Sequence, residues 1–362
     1  MTQRRYNFNP GPAALPLQVL EQAQEEFIDY QGSGLSLMEM SHRSQLVEQL
    51  NEETQFLLLD ALGLKKGYNV IFMGGGASSQ FALLPLNFLT SNLTANYVLT
   101  GSFSEKAYNE AKFIGSTHVA ASSKSNSWKH VPPMSELIVE DHSAYLHITT
   151  NNTIEGSRYN YLPDACDVPV VADMTSDILS RKMDLQKLDM IYAGAQKNLG
   201  PAGVTAVIIS DRMLQNASKS IPLILRYETF VKEKSLYNTP PVHTIYVMNL
   251  VLKWVIEQGG LEKLEHRNMV KANLLYDVID ASGGFYKGII DASDRSHMNM
   301  TWRMVDEELE RRFIKESEQA GFEGLAGHRS VGGLRASAYN AVTLDTCKAL
   351  ADFMIEFQRV HG

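Results

Sequence analysis

Seven short apolar runs mark the first 210 residues, at 69–73, 96–100, 117–121, 144–149, 168–173, 188–193 and 204–209. Several are apolar at consecutive rather than alternate positions, the pattern of strands covered on both faces. More polar, helix-like segments separate them. That alternation predicts an α/β fold: a mostly parallel seven-stranded sheet covered by helices. Strand order is not written in the pattern. Ahead of the first run, Leu46, Val47, Leu50, Thr54, Leu58 and Leu62 recur at helical spacing after Ser41, and Gly63 predicts the stop.

Beyond Pro240-Pro241 a long helical stretch runs through Trp254 and past Gly259-Gly260 to about Ile279. The rhythm then changes. Gly283-Gly284 precedes two strand-like runs, 285–291 and 298–304, expected to be antiparallel. A charged helix at 306–320 and a final helix at 344–360 follow. These elements read as a smaller α+β C-terminal domain. The expected division is an irregular arm at 1–16 that joins the small domain, a large domain at 17–264 and a small domain at 265–362.

Composition narrows the class. Of 362 residues, 44% are hydrophobic and 20% charged, an ordinary globular balance, and the length suits two unequal domains. A net charge of -8, with no basic run interleaved with aromatics, argues against broad nucleic-acid binding. The longest apolar runs are strand-sized, too short for a membrane-spanning helix. Cys166 and Cys347 lie far apart in no metal-ligand spacing. They fit a reducing compartment and give no support for a disulfide framework. Residues 1–16 lack the apolar core of a secretory signal, so a cytoplasmic location is expected.

The candidate chemistry sits where the runs end. Lys197 follows the run at 188–193 inside Ala193-Gly194-Ala195-Gln196-Lys197-Asn198-Leu199-Gly200-Pro201, a poor place for a solvated charge. It suits an amine that must lose its proton and attack a carbonyl. Asp173 closes the preceding run. Singly, each has an ordinary role, the aspartate as a helix N-cap and the lysine as a wet loop residue. Together an amine and an acid at the mouth of a sheet point to a pyridoxal phosphate site.

Three more strand ends carry glycine or polar chemistry. Gly74-Gly75-Gly76-Ala77-Ser78-Ser79-Gln80 precedes a helix-like run at 81–84, and a helix start offers N–H groups and a positive dipole end to one phosphate. It is not a dinucleotide or Walker loop, and a plain strand-to-helix turn reads as well. Phe103, in Thr100-Gly101-Ser102-Phe103-Ser104, can stack on a ring or belong to the core. Thr153, after Asn151-Asn152, can donate to a phenolic oxygen or simply make a turn. In a parallel sheet all these ends share one edge, where ligands bind. A second group is cationic: His42 and Arg43 open the first long helix, while His328, Arg329 and Arg335 stand in the Gly-rich segment 327–335. Arginine pairs bidentately with carboxylate and phosphate, so these point to a small multiply anionic substrate, although surface ion pairing is the commoner fate of arginine.

Taken jointly, Phe8-Asn9-Pro10-Gly11-Pro12-Ala13, Ser41-His42-Arg43, Gly75-Gly76-Ala77-Ser78, Asn151-Asn152-Thr153-Ile154, Ala172-Asp173-Met174-Thr175-Ser176, the Lys197 segment, Tyr237-Asn238-Thr239-Pro240-Pro241 and Gly327-His328-Arg329 resemble the phosphoserine aminotransferases. That family consists of pyridoxal 5'-phosphate enzymes in the class V aminotransferase group, of fold type I. The likeness runs end to end. It implies that Lys197 carries the cofactor as a Schiff base, that Asp173 pairs with its ring nitrogen, and that Thr153 meets the ring oxygen. It further implies Phe103 on the ring face, and Ala77, Ser78 and Gln196 at the phosphate, with Asn238 and Thr239 reaching it from the partner subunit of a homodimer with shared active sites. Arg335 would hold the substrate α-carboxylate, and His42, Arg43, His328 and Arg329 its phosphate or side-chain carboxylate.

The implied reaction moves an amino group from L-glutamate to 3-phosphohydroxypyruvate, giving O-phospho-L-serine and 2-oxoglutarate in serine biosynthesis. Some members also serve pyridoxine biosynthesis. No metal, nucleic acid or membrane is implied. Two positions depart from the family pattern: Phe103 stands where Trp is frequent, and Glu155 where an aromatic or uncharged residue is expected. An inward-pointing acid there would weaken anion binding. The alternative is another class V enzyme, acting on serine or alanine with glyoxylate, which would not need the His-Arg pairs. A nicotinamide-dependent dehydrogenase would need a glycine fingerprint that is absent.

Overall fold

All seven runs pair into one sheet. The computed structural model describes residues 4–64, 66–163 and 167–362; Cys166 lies outside the described residues. Counting from a two-residue strand β1 (Tyr6–Asn7), the sheet comprises β2 (Tyr68–Met73), β3 (Thr94–Leu99), β4 (Ser116–Ser122), β5 (Ser143–Thr149), β6 (Val170–Asp173), β7 (Met190–Gly194) and β8 (Thr205–Ser210). Their order is β2-β8-β7-β6-β5-β3-β4. The pairs among β4, β3, β5, β6 and β7 are parallel; β8 is antiparallel to both its neighbours. Chain length explains the exception. A parallel return needs a crossover of about a dozen residues or more, and β8 follows β7 after a short loop with no helix. Lys197 lies in that loop.

Consecutive residues of a strand face opposite layers. Ile148, Ala172, Ile191 and Ile208 pack with Val47, Leu50 and Leu58 of α2 (Gln45–Leu62) and with Met248 and Val251 of α7 (Val242–Glu257). Tyr97, Val171, Tyr192 and Val207 face Phe81, Leu84 and Phe88 of α3 (Gly76–Phe88), and Ala107 and Ala111 of α4 (Ser102–Ala111). Both faces are covered, as the consecutive apolar patterning predicts.

Helix α2 ends where the sequence indicates, with Gly63 in the left-handed conformation. The long helical stretch after Pro241 is two helices rather than one. Gly259, at φ +89, breaks it between α7 and α8 (Gly260–Ala281). Helix α8 runs unbroken past residue 265 and serves two cores: Leu264 packs with the sheet, whereas Ala272, Leu275 and Ile279 pack with the C-terminal elements.

Those elements form a three-stranded antiparallel sheet, ordered β12-β10-β9, from β9 (Tyr286–Gly288), β10 (Asn299–Met304) and β12 (Leu334–Ser337). Helices α9 (Glu307–Gln319) and α10 (Leu344–His361) cover it around Trp302, Phe313, Leu350 and Phe357. The arm joins this core: β1 pairs with β11 (Phe322–Glu323), and Phe8 is fully buried there. Buried Lys271 of α8 donates to the carbonyls of Ala338, Tyr339 and Val342, so it ties down the segment that leaves β12. Among the described residues, no helix is long and apolar enough to cross a membrane.

Candidate active site

Asp173 is the last residue of β6, opposite Thr149 of β5 and Tyr192 of β7. It is 5% exposed, and its carboxylate accepts from the Thr175 N–H at 2.9 Å. Burial pushes its pKa up, against the Thr175 bonds and the charge of Lys197. A carboxylate that costs this much to ionise favours a cation beside it. Behind it, the Tyr192 hydroxyl lies 2.7 Å from His147 Nε2.

Lys197 is 7% exposed, and its Nζ donates to the Thr153 hydroxyl at 2.6 Å. Burial lowers its pKa to about 8; Asp173 opposes that shift and Arg335 reinforces it. The lysine loop is fixed on three sides. The Gly200 N–H donates to the Ala195 carbonyl, and the Asn198 side chain donates to the Ile178 carbonyl and accepts from the Asn340 N–H. The arm closes over it through the Ala13 N–H on the Gln196 carbonyl. Gly11, at φ +139, passes so near that a Cβ would lie 3.3 Å from Lys197 Cγ. Glycine is needed for that crossing.

On the other wall α3 begins at Gly76, five residues before the apolar run that announced it. Its N-cap, Gly75, is left-handed and no side chain caps the helix, so first-turn N–H groups stay free. Phe103 stands near the start of α4 with Lys197 Nζ 5.7 Å from its ring centroid and Lys106 Nζ 5.1 Å from it. Arg335, on β12 opposite Thr301 of β10, is 5% exposed. It donates to the Thr153 carbonyl at 3.2 Å, while its buried Nε has no partner. Such a guanidinium keeps donors available for an anion.

One cavity of about 270 Å³ thus collects Lys197, Asp173, Thr153, Phe103, Ala77, Ser78, Gln196, His328 and Arg335. His328 is the half-buried rim; burial first, then the charges of Arg335, Lys106 and Arg329, hold its imidazole below its ordinary pKa. The remaining expected residues are not in the cavity. Arg43 lines a separate surface groove with Tyr237, His42 is half-buried, and Asn238, Thr239 and Arg329 are exposed. Glu155 does not line the cavity either. Its carboxylate turns to Ser102.

Two neighbours of the site stand outside the sequence motifs. Lys106 stands three residues after Phe103, a spacing that puts both on one helix face and could have revealed it. Tyr339, whose hydroxyl donates to the Pro10 carbonyl, follows a strand that was not anticipated and left no signal. Among the described residues, no cluster of three or more His, Cys, Asp or Glu is arranged to hold a metal.

Residues 5–350 match the family model for class V aminotransferases. A phosphoserine aminotransferase of Niallia circulans is 56% identical over 362 residues, 100% of each chain. The solved phosphoserine aminotransferase of Bacillus circulans subsp. alkalophilus superposes with a TM-score of 0.98 at 56% identity, over 99% of each chain. A phosphoserine aminotransferase of Trichomonas vaginalis, solved with bound PLP, gives a TM-score of 0.91 at 34% identity, over 97% of this chain and 100% of that one.

Proposed function

The chain belongs to the class V aminotransferases, among their phosphoserine aminotransferases, and we propose that it exchanges an amino group between L-glutamate and 3-phosphohydroxypyruvate through pyridoxal 5'-phosphate held on Lys197. The products are O-phospho-L-serine and 2-oxoglutarate, in serine biosynthesis in the cytoplasm. One observation carries this reading: a buried amine with a depressed pKa shares a cavity with a buried carboxylate, an aromatic face, an uncapped helix start and an arginine with free donors.

These residues fit the cofactor. When bound, pyridoxal phosphate supplies an aldehyde for amines and a ring that draws electron density from the substrate α-carbon. Asp173 would face the ring nitrogen, where a positive charge would offset the burial that otherwise raises its pKa. Phe103 would pack on the ring face. Ala77, Ser78 and Gln196, with the first-turn N–H groups of α3, would hold the phosphate.

The remaining steps belong to the chain's own groups. A pKa of about 8 leaves a useful neutral fraction of Lys197 at physiological pH, so its Nζ can take the substrate's α-proton and return it. The Thr153 hydroxyl, 2.6 Å away, orients that nitrogen. Arg335 clamps the α-carboxylate with the donors that protein groups leave free. His328 and Arg329, with His42 and Arg43, receive the substrate's distal phosphate or carboxylate. The exposure of Arg43, Asn238 and Thr239 supports their use across a homodimer with shared sites. The change of core along α8 supports a division near residue 265, with the arm at 1–16 on the small domain.

Both amino donors and both keto acids carry a second anionic group, so one cationic rim can serve both half-reactions. The test is a comparison of acceptors with L-glutamate and of the glyoxylate pairs. Formation of O-phosphoserine from 3-phosphohydroxypyruvate, at rates far above any serine- or alanine-glyoxylate exchange, is expected. Faster glyoxylate exchange would replace this reading by the alternative.

A further inference from the structure

Gly101 is the N-cap of α4, and a glycine has no side chain with which to cap a helix. The first turn of that helix is nevertheless supplied with an acceptor, and it comes from 54 positions along the sequence. The Glu155 carboxylate accepts from the Ser102 N–H at 2.8 Å and from the Ser102 hydroxyl at 2.7 Å, both through Oε1. The seat is shaped for it. A Cβ on Gly101 would lie 2.4 Å from Glu155 Oε2, so the carboxylate occupies the space a larger residue there would fill. Glu155 is only 6% exposed. A negative group at a helix start is favourable both as acceptor and as charge.

The same residue is tied to the small domain's sheet. Its backbone carbonyl accepts from the Thr301 hydroxyl at 2.7 Å, and Thr301 is the register partner of Arg335. Glu155 Oε2 and Arg335 Nε are both buried without partners. Burial raises the carboxyl's pKa, the Ser102 hydrogen bonds lower it, and the opposite charge of Arg335 lowers it less. The acid that the sequence left unexplained therefore lines no part of the cavity, yet holds the segment next to Phe103 and bonds to β10, the strand paired with the one that carries Arg335.

We propose that Glu155 is a positioning residue: clamped onto Ser102, its carboxylate substitutes for the missing cap of α4 and so fixes Phe103 at the wall of the Lys197 cavity. A chain whose stacking residue is phenylalanine has no indole N–H to anchor the ring by hydrogen bonding, so the helix start itself must be held. This inference rests on the reading of Phe103 as the cofactor's stacking residue. The clamp itself is a property of the protein before loading.

Three variants decide it: Glu155→Ala, Glu155→Gln and Ser102→Ala, measured with and without cofactor. In the cofactor-free protein, amide hydrogen exchange over 102–104 is expected to rise about tenfold in Glu155→Ala, the scale of the one carboxylate hydrogen bond that the Ser102 N–H loses. Exchange elsewhere and the melting temperature stay near the wild-type values. Glu155→Gln, which keeps an acceptor, restores most of the protection, and Ser102→Ala, which is mild enough to fold in any case, loses about threefold. The dissociation constant for pyridoxal phosphate follows the same order.

Unchanged exchange at 102–104 in Glu155→Ala overturns the clamp, as does a Glu155→Gln protein that behaves like the alanine variant. General loss of protection in Glu155→Ala, with no local effect in Ser102→Ala, also overturns it. A wild-type protein that fails to bind pyridoxal phosphate would overturn the proposed function instead, and the exchange data would still judge the clamp.

Discussion

The Nζ of Lys197 and the hydroxyl oxygen of Thr153 lie 2.6 Å apart, although the two residues leave different strands of the sheet. That bond holds an amine where burial has lowered its pKa to about 8. The unfolded chain keeps an ordinary lysine, so between pH 8 and about 10.5 it binds more protons than the folded protein. Stability of the cofactor-free protein therefore rises with pH across that window.

Lys197→Met tests this directly, because methionine fills similar space without a charge. The buried cation costs about 3 kcal/mol at neutral pH, and the bond to Thr153 returns about 1 kcal/mol. The cofactor-free variant should thus be more stable than wild type by about 2 kcal/mol at pH 7 in denaturant titrations. The advantage should vanish above about pH 10. A variant less stable at pH 7 would show that the ammonium is well accommodated.

Arg335 makes one bond to the Thr153 carbonyl and keeps its buried Nε free. Arg335→Gln should raise KM for both L-glutamate and O-phospho-L-serine by about 10²-fold, the scale of losing one member of a buried charged pair. The measurement is steady-state kinetics with each donor. A fall in kcat alone would argue against a carboxylate clamp.

Arg329 is exposed and adjacent to the cavity's half-buried rim residue, His328. Arg329→Gln should cut kcat/KM for O-phosphoserine by about tenfold or more, since an arginine-phosphate pair is charge-assisted. Unphosphorylated serine should be affected by no more than about twofold, the level of a rim charge it does not meet. Equal losses on the two substrates would remove the phosphate-receptor role.

Phe8 is fully buried among Tyr286, Phe313 and Phe322, and its backbone bonds to Glu323 and Ser337. Phe8→Ala should cost about 3–5 kcal/mol, the price of a large core aromatic. The arm also carries Gly11 and Ala13 against the lysine loop. The variant should therefore also bind pyridoxal phosphate more weakly. A loss below about 1 kcal/mol would mean that the arm does not belong to the core.

Much of this architecture was legible along the chain. A strand buried on both faces leaves consecutive apolar residues, so β6 and β7 were visible and Asp173 and Lys197 could be located at their ends. Strand β12 was not visible, because Arg335 and Ser337 interrupt a four-residue run. A charge buried for function looks, in sequence, like a charge in water. The start of α3 was hidden for a related reason: Gly75 and Gly76 read as a loop until their backbone conformation is known. The break at Gly259 was overlooked because helical periodicity resumes at once behind it. Asn238 and Thr239 are exposed, and nothing in the pattern sets them apart from ordinary polar surface residues.

The central claim is that Lys197 is the amine that carries the cofactor. Borohydride reduction of the loaded protein, followed by mass mapping of its peptides, tests it most directly. The expected result is loss of the visible absorbance and one covalent label per chain, on Lys197, with Lys197→Ala left unlabelled and inactive. A label on another lysine, or an active and labelled Lys197→Ala protein, would contradict it.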